Sequence, residues 1–235
     1  SAGPPDPKLI EDLVAANRIL AMQGVVDGQG HVSVRHNRDP NPYLLSRARA
    51  PALVVAEDIL EFDLDRNPVD AGGRQLYSER FIHGEIYNAR PDVIAVVHNH
   101  SPSVVPFTVS TVPLRAVAHS GGFIADGFPI FEIREAGGMT DMLVRTAALG
   151  RALAQVLGNK PAALMRGHGA AVVGPSLPHV VGRSISLEVG AKLQAQAMAL
   201  GGTINYLDPE EGRWNEARRD YVRSWEMWKR EALAK

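Results

Sequence analysis

Two histidines separated by one residue, His98 and His100, follow the apolar run Val93-Ile94-Ala95-Val96-Val97. Alternate side chains of a β-strand share a face, so both imidazoles can be presented to one point, and that point can hold a divalent metal. The strand is inferred from continuous, β-branched residues bounded by Pro91 behind and Pro102 in front. Ser101-Pro102 then reads as the N-cap and first position of a helix over 103–110. A metal at such a corner needs further ligands, and two stand in matching settings: Glu79 upstream, and His168 within Met165-Arg166-Gly167-His168-Gly169 downstream. There is no cysteine among the 235 residues, so disulfides are excluded. Any metal site must use His, carboxylate and water, which suits Zn, Mn, Fe or Co.

The elements that must position these groups follow from patterning. Asp6-Pro7 starts a helix whose apolar residues, Leu9 through Leu20, recur at helical spacing up to Gly24. Gly24, Gly28 and Gly30 lead into a strand with alternating Val32 and Val34. Such glycines permit a ligand's close approach or simply make a helix-to-strand turn. Tyr43 to Ser46 and Ala52 to Val55 read as short strands around a loop carrying Arg47 and Arg49. The forked donors of those arginines suit a carboxylate, or the loop is merely solvated. Ile59 to Leu64 alternates as a half-exposed strand. Ser78 is the expected N-cap of a helix with Phe81, Ile82 and Ile86 on one face, which puts Glu79 at a helix N-terminus, where the dipole favours an acid regardless of function.

Further on, 121–133 reads as an irregular loop and Thr140 as the cap of a helix ended by Gly158. Ala162 to Met165 and Ala170 to Gly174 are short buried strands on either side of His168. A long helix over 176–200 follows, with Val180, Val181, Ile185, Leu187, Val189, Leu193 and Met198 as core candidates. The tail from Trp214 reads as one terminal helix. His36, His83, His119 and His179 have no accompanying second ligand and read as surface or packing histidines.

Hydrophobic residues make up 45% and the formal net charge is -1, which fits a globular core and gives no reason to expect nucleic acid. No run is long and apolar enough for a membrane span, and no targeting segment is visible, so a cytoplasmic protein is expected. No repeat, linker or low-complexity tract divides the chain, and one domain over 1–235 is expected.

Taken together, three stretches resemble the class II aldolase/adducin superfamily over roughly residues 8 to 205. They are Gly24 to Arg35, Tyr77 to His100 with Ala89-Arg90-Pro91-Asp92 before the histidine pair, and Arg166 to Gly169 followed by the long helix. The resemblance implies an α/β fold: a three-layer α/β/α arrangement with a central, mainly antiparallel sheet, commonly assembled as a homotetramer with interfacial active sites. It maps the metal histidines to His98, His100 and His168, and the acid that can ligate the metal and exchange protons to Glu79.

Departures from the family's aldolases and epimerases point to a branch. Where aldolases have asparagine this chain has His31, and a Thr-Pro-Thr-Gly-like phosphate loop is replaced by Ser46-Arg47-Ala48-Arg49. No tyrosine stands in Phe128-Pro129-Ile130-Phe131. The versions at Gly28 to Arg35 and Tyr77 to Arg80 look like the decarboxylase branch. That resemblance implies metal-dependent loss of carbon dioxide, with Mn2+ or Zn2+, from a hydroxylated aromatic or pyridine dicarboxylate. The expected substrate is 3-hydroxy-2-methylpyridine-4,5-dicarboxylate, of vitamin B6 degradation, with dihydroxyphthalates close behind. Glu79 or His31 is expected to move the proton, and Ser46, Arg47 and Ser78 to hold the second carboxylate. A sugar-phosphate aldolase or epimerase is the alternative. A non-enzymatic adducin-like module is expected to lose metal ligands, and all four are present.

Overall fold

The computed structural model describes residues 3–234. Helix α1 (Pro7–Met22) begins where the Asp6 carboxylate accepts the Lys8 N–H, with proline just inside the helix start. Strands β1 (His31–Arg35) and β2 (Tyr43–Ser46) pair antiparallel, and β3 (Ile59–Phe62) adds to β2. Next come α2 (Arg80–Ala89), β4 (Ala95–Asn99), the single turn α3 (Val105–Thr108), β5 (Ile130–Phe131) and the short α4 (Ile133–Gly137). The remainder comprises α5 (Ala147–Leu157), the hairpin β6 (Ala162–Met165) and β7 (Gly169–Gly174), then α6 (Leu177–Ala199), α7 (Pro209–Ala217) and α8 (Val222–Leu233). The sheet order is β3-β2-β1-β4-β7-β6-β5, antiparallel except where β5 runs parallel to β6.

Strand alternation divides the core. Val32, Val34, Leu44, Val97 and Val172 face one way and bury with Leu13 and Ile19 of α1, Val180 and Ile185 of α6, and Trp225 of α8. Tyr43, Leu45, Val96 and Val173 face the other way and bury with Ile82 and Ile86 of α2 and Leu153 and Leu157 of α5. Each fully buried side chain of this size contributes about 1.5–3 kcal/mol relative to exposure. The second face also carries polar residues of β1, because His31 and Ser33 alternate with the valines that enter the first core.

Several expectations are corrected. Residues 52–55 form no strand: Pro51–Leu53 and Ala56–Asp58 are single 3-10 turns, held where the Asp58 carboxylate accepts the Val55 N–H. The helix after Pro102 is one turn only, because Glu188 of α6 takes Ser101 Oγ, Ser103 Oγ and the Ser103 N–H away from capping. Thr146, not Thr140, caps α5, while Thr140 Oγ1 accepts the N–H of Met142, which sits at φ 69°. The stretch expected to be irregular contains a 3-10 segment, His119–Ile124, as well as β5. Val189, Leu193 and Met198 of α6 are 43%, 37% and 40% exposed rather than core. The tail is two helices, α7 and α8, broken at 218–221. No described helix is long and apolar enough to cross a membrane.

Candidate metal centre

Three backbone features bring the four candidate ligands together. β4 delivers His98 at its end and His100 just beyond; α2 begins immediately after Glu79; the β6–β7 turn carries His168. That turn needs its glycines. Gly167 sits at φ 62°, and a Cβ on Gly169 would lie 1.9 Å from the Asn99 carbonyl oxygen, so only glycine lets the turn close against β4. Ser78, the expected cap, is exposed, and the cap position falls on Glu79 instead. Glu79 makes no capping bond because its carboxylate is turned elsewhere: Oε1 accepts the Val144 N–H at 2.9 Å, and Oε2 faces the histidines.

Glu79 Oε2 lies 3.3 Å from His98 Nε2 and 3.5 Å from His168 Nε2, and His168 Nε2 lies 3.1 Å from His100 Nε2. One donor atom from each of Glu79, His98, His100 and His168 falls within 4.8 Å of every other. The outward nitrogens settle what these donors are. His98 Nδ1 is 3.2 Å from the Ala170 carbonyl and His168 Nδ1 3.1 Å from the Met142 carbonyl. A carbonyl only accepts, so each Nδ1 carries the proton and each Nε2 turns a lone pair inward. His100 Nδ1 lies 3.5 Å from Asp27 Oδ1. The buried His98 Nε2 has no hydrogen-bond partner among the described residues. Inward lone pairs beside a carboxylate, without a proton to share, fit a divalent cation with nitrogen and oxygen ligands.

The electrostatics agree. Burial by itself would raise the Glu79 carboxyl, but the imidazoles of His98 and His168 outweigh it and hold the group well below the usual carboxylate range. Burial, then the neighbouring His98 and His168, lowers His100. An anionic carboxylate is the protonation state in which Glu79 can ligate a metal.

His31 stands directly across from His98 in the β1–β4 register, with ring centroids 5.1 Å apart. Its other side meets the Tyr77 ring at 4.5 Å, and it is only 2% exposed. Burial, then His83 and His98, pushes its imidazole far below the ordinary value. The remaining expected residues are placed differently. Ser46 is buried, its hydroxyl donating to the Arg47 carbonyl and lying 3.2 Å from the Tyr77 hydroxyl, which itself donates to the Arg49 carbonyl. Arg47 Nε is held 2.5 Å from Asp58, and the Arg47 side chain remains 30% exposed.

The structure adds residues that the sequence reading passed over. His83 is fully buried and bonded to His31, so it is neither a surface group nor ordinary packing. Its spacing held the signal, since Glu79 and His83 are one helical turn apart and share a face of α2. Tyr77 borders His31 and Asp27 borders His100; Asp27 lies in the glycine-rich approach to β1, which placed no acid near His100 until the fold was known.

Comparison with known proteins places this geometry. Residues 11–195 match the Class II Aldolase and Adducin N-terminal domain, and the chain belongs to that family. Within it, the chain falls in the decarboxylase branch and is an enzyme, a carboxy-lyase. It is 33% identical to the decarboxylase tropJ of Talaromyces stipitatus, covering 94% of this chain and 93% of that protein. It is also 33% identical to the 3,4-dihydroxyphthalate decarboxylase of Arthrobacter keyseri, covering 84% and 82%. The fold is similar to an aldolase II superfamily protein from Pseudomonas syringae, with TM-score 0.81, 22% identity, and 98% and 94% of the two chains covered.

Proposed function

We propose that this enzyme removes carbon dioxide from a hydroxylated aromatic dicarboxylate, taking the carboxylate next to a ring hydroxyl. The observation that carries the reading is His31: a buried imidazole, 5.1 Å from the His98 ring, stands beside a four-residue metal cluster and can pass a proton to substrate there. Similarity along nearly the whole chain to decarboxylases supports it. Glu79, His98, His100 and His168 would hold Mn2+ or Zn2+, which when bound supplies Lewis-acid stabilisation of negative charge on an oxygen next to the breaking bond. His31 exchanges the proton that replaces the departing carboxylate, and Glu79 is the second candidate for that role. Arg47 and Ser78 retain the exposure needed to meet the second carboxylate, whereas Ser46 reaches it only by breaking its bonds to Arg47 and Tyr77.

The relatives' substrate makes 3,4-dihydroxyphthalate the first compound to test. The pyridine analogue 3-hydroxy-2-methylpyridine-4,5-dicarboxylate, from vitamin B6 degradation, presents the same arrangement of hydroxyl and carboxylate and is the second. The expected result is carbon dioxide release from one of them by Mn2+- or Zn2+-loaded protein, lost in His98→Ala. Cleavage of fuculose 1-phosphate with no carbon dioxide from either acid would overturn the reading in favour of an aldolase.

We read the sheet and its two helical faces as the three-layer α/β/α arrangement, in a single domain that assembles as a homotetramer. The exposed apolar side chains Val109, Leu193, Met198 and Leu200 support contact with further copies. Sedimentation at micromolar concentration tests the assembly, and a monomer there would refute it.

A further inference from the structure

Behind His31 runs a line of buried polar groups that the reaction does not touch. His31 Nδ1 is 2.7 Å from His83 Nε2; His83 Nδ1 is 2.6 Å from Ser33 Oγ; Ser33 Oγ is 2.8 Å from the Tyr87 hydroxyl, and that hydroxyl is 3.4 Å from the Ile94 carbonyl. Ser33, His83 and Tyr87 are each at most 1% exposed, so water cannot substitute for a missing partner along the line. His31 Nε2 has no hydrogen bond among the described residues.

With neutral imidazoles, the four groups carry one proton each, and the line can point in two directions. If every proton points away from the metal cluster, His31 donates to His83, His83 to Ser33, Ser33 to Tyr87 and Tyr87 to the Ile94 carbonyl. All four protons then have acceptors. If the line is reversed, the Ile94 carbonyl contributes nothing and the fourth proton sits on His31 Nε2 without a protein acceptor. The outward direction thus makes one more hydrogen bond within the protein than the reversed one.

We propose that His83, Ser33 and Tyr87 hold His31 as its Nδ1-protonated tautomer, so that it faces substrate with an unprotonated Nε2 and enters the reaction as a base. This rests on the decarboxylase reading for its chemistry, though not for its geometry. His31 Nε2 takes the proton of the ring hydroxyl and becomes imidazolium. It returns that proton to the ring carbon bearing the carboxylate. The bond to the carboxylate then breaks, its electron pair restores the aromatic ring and leaves negative charge on the former hydroxyl oxygen, and carbon dioxide departs. Water protonates that oxygen, and His31 ends as it began. His83, Ser33 and Tyr87 are positioning residues that never meet substrate.

The test is long-range proton–nitrogen NMR on protein labelled with 15N-histidine, metal-free and Zn2+-loaded, with His31 assigned by its disappearance in His31→Asn. The expected spectrum has a pyrrole-type Nδ1 and a pyridine-type Nε2 for His31 in the unaltered protein, which needs no variant to fold. Ser33→Ala is expected to mix the tautomers and lower kcat about tenfold with KM little changed, and Ser33→Thr, which keeps the hydroxyl, to restore both. A protonated Nε2 in the unaltered protein, or an unmixed tautomer in folded Ser33→Ala, overturns the proposal even if carbon dioxide is released. The expected tautomer without decarboxylation would instead leave the relay standing and remove the chemistry assigned to it.

Discussion

Imidazole lone pairs and a carboxylate aimed at one point repel one another unless positive charge sits among them, so the ligands' outward contacts set how well they wait for it. Two of those contacts are backbone carbonyls, to His98 and His168, which no substitution of the partner can remove. The third differs. His100 turns toward Asp27, a side chain 62% exposed on the approach to β1. A carboxylate behind a ligating histidine orients the ring and raises its basicity. Asp27→Asn is therefore expected to weaken metal binding about tenfold, near the lower end of effects for such partners. Because the side chain is exposed, thermal stability of the metal-free protein should not change. Competition against a chromophoric chelator measures the affinity; unchanged affinity would mean that His100 is oriented by the turn alone. At this scale the candidate ligands were legible because His98, at the end of β4, and His100, just beyond it, are two residues apart, whereas Asp27 and His83 acquire meaning only from contacts between distant segments.

Among the elements, the loop after β2 shows how an expected binding feature also takes on a structural role. Arg47 and Arg49 converge on Asp58 at 2.5 and 3.3 Å, and the same carboxylate accepts the Val55 N–H. Burial would raise the Asp58 carboxyl above its ordinary 3.8, but the Val55 N–H and the two guanidiniums outweigh that and lower it. A carboxyl depressed in the folded state adds stability that is complete above its unfolded value and is lost as pH falls through the folded one. Asp58→Asn should then lower the Tm at neutral pH and flatten its decline below about pH 4. A Tm series in acid checks this, and an unflattened decline would assign the acid sensitivity to other carboxylates. The arginines' types were visible in sequence, but their partner was not, because 52–55 looked apolar enough for a strand. The least ambiguous element was α1, with helical spacing and the Asp6 cap accepting as read; α6 also lies where expected, though its Ser176 cap, accepting the His179 N–H, was not read from sequence. Boundaries failed where a side chain had a better partner than its own helix, as with Glu79 and with Ser101 under Glu188.

For the whole molecule, the sheet keeps the histidine site on one face and packs the terminal helix on the other. His31, Ser33 and His83 lie on the face shared with α2, while α8 closes the opposite face by packing Trp225 into the core formed by α1 and α6. Lys229 adds contacts to Glu11 and Asp12 of α1 at 2.5 and 2.7 Å. Trp225 is 6% exposed, and Trp225→Ala should destabilise by about 3–5 kcal/mol, the usual cost of removing a large buried aromatic. A domain of this length then loses roughly 2–4 °C of Tm for each kcal/mol. Turnover and metal affinity, measured well below the new Tm, should stay at the original level. One connection crosses between the faces: Glu188 of α6 holds Ser101 and Ser103, directly after His100. If Trp225→Ala lowers metal affinity along with stability, α6 transmits the packing of α8 to that ligand, and the two faces are not independent.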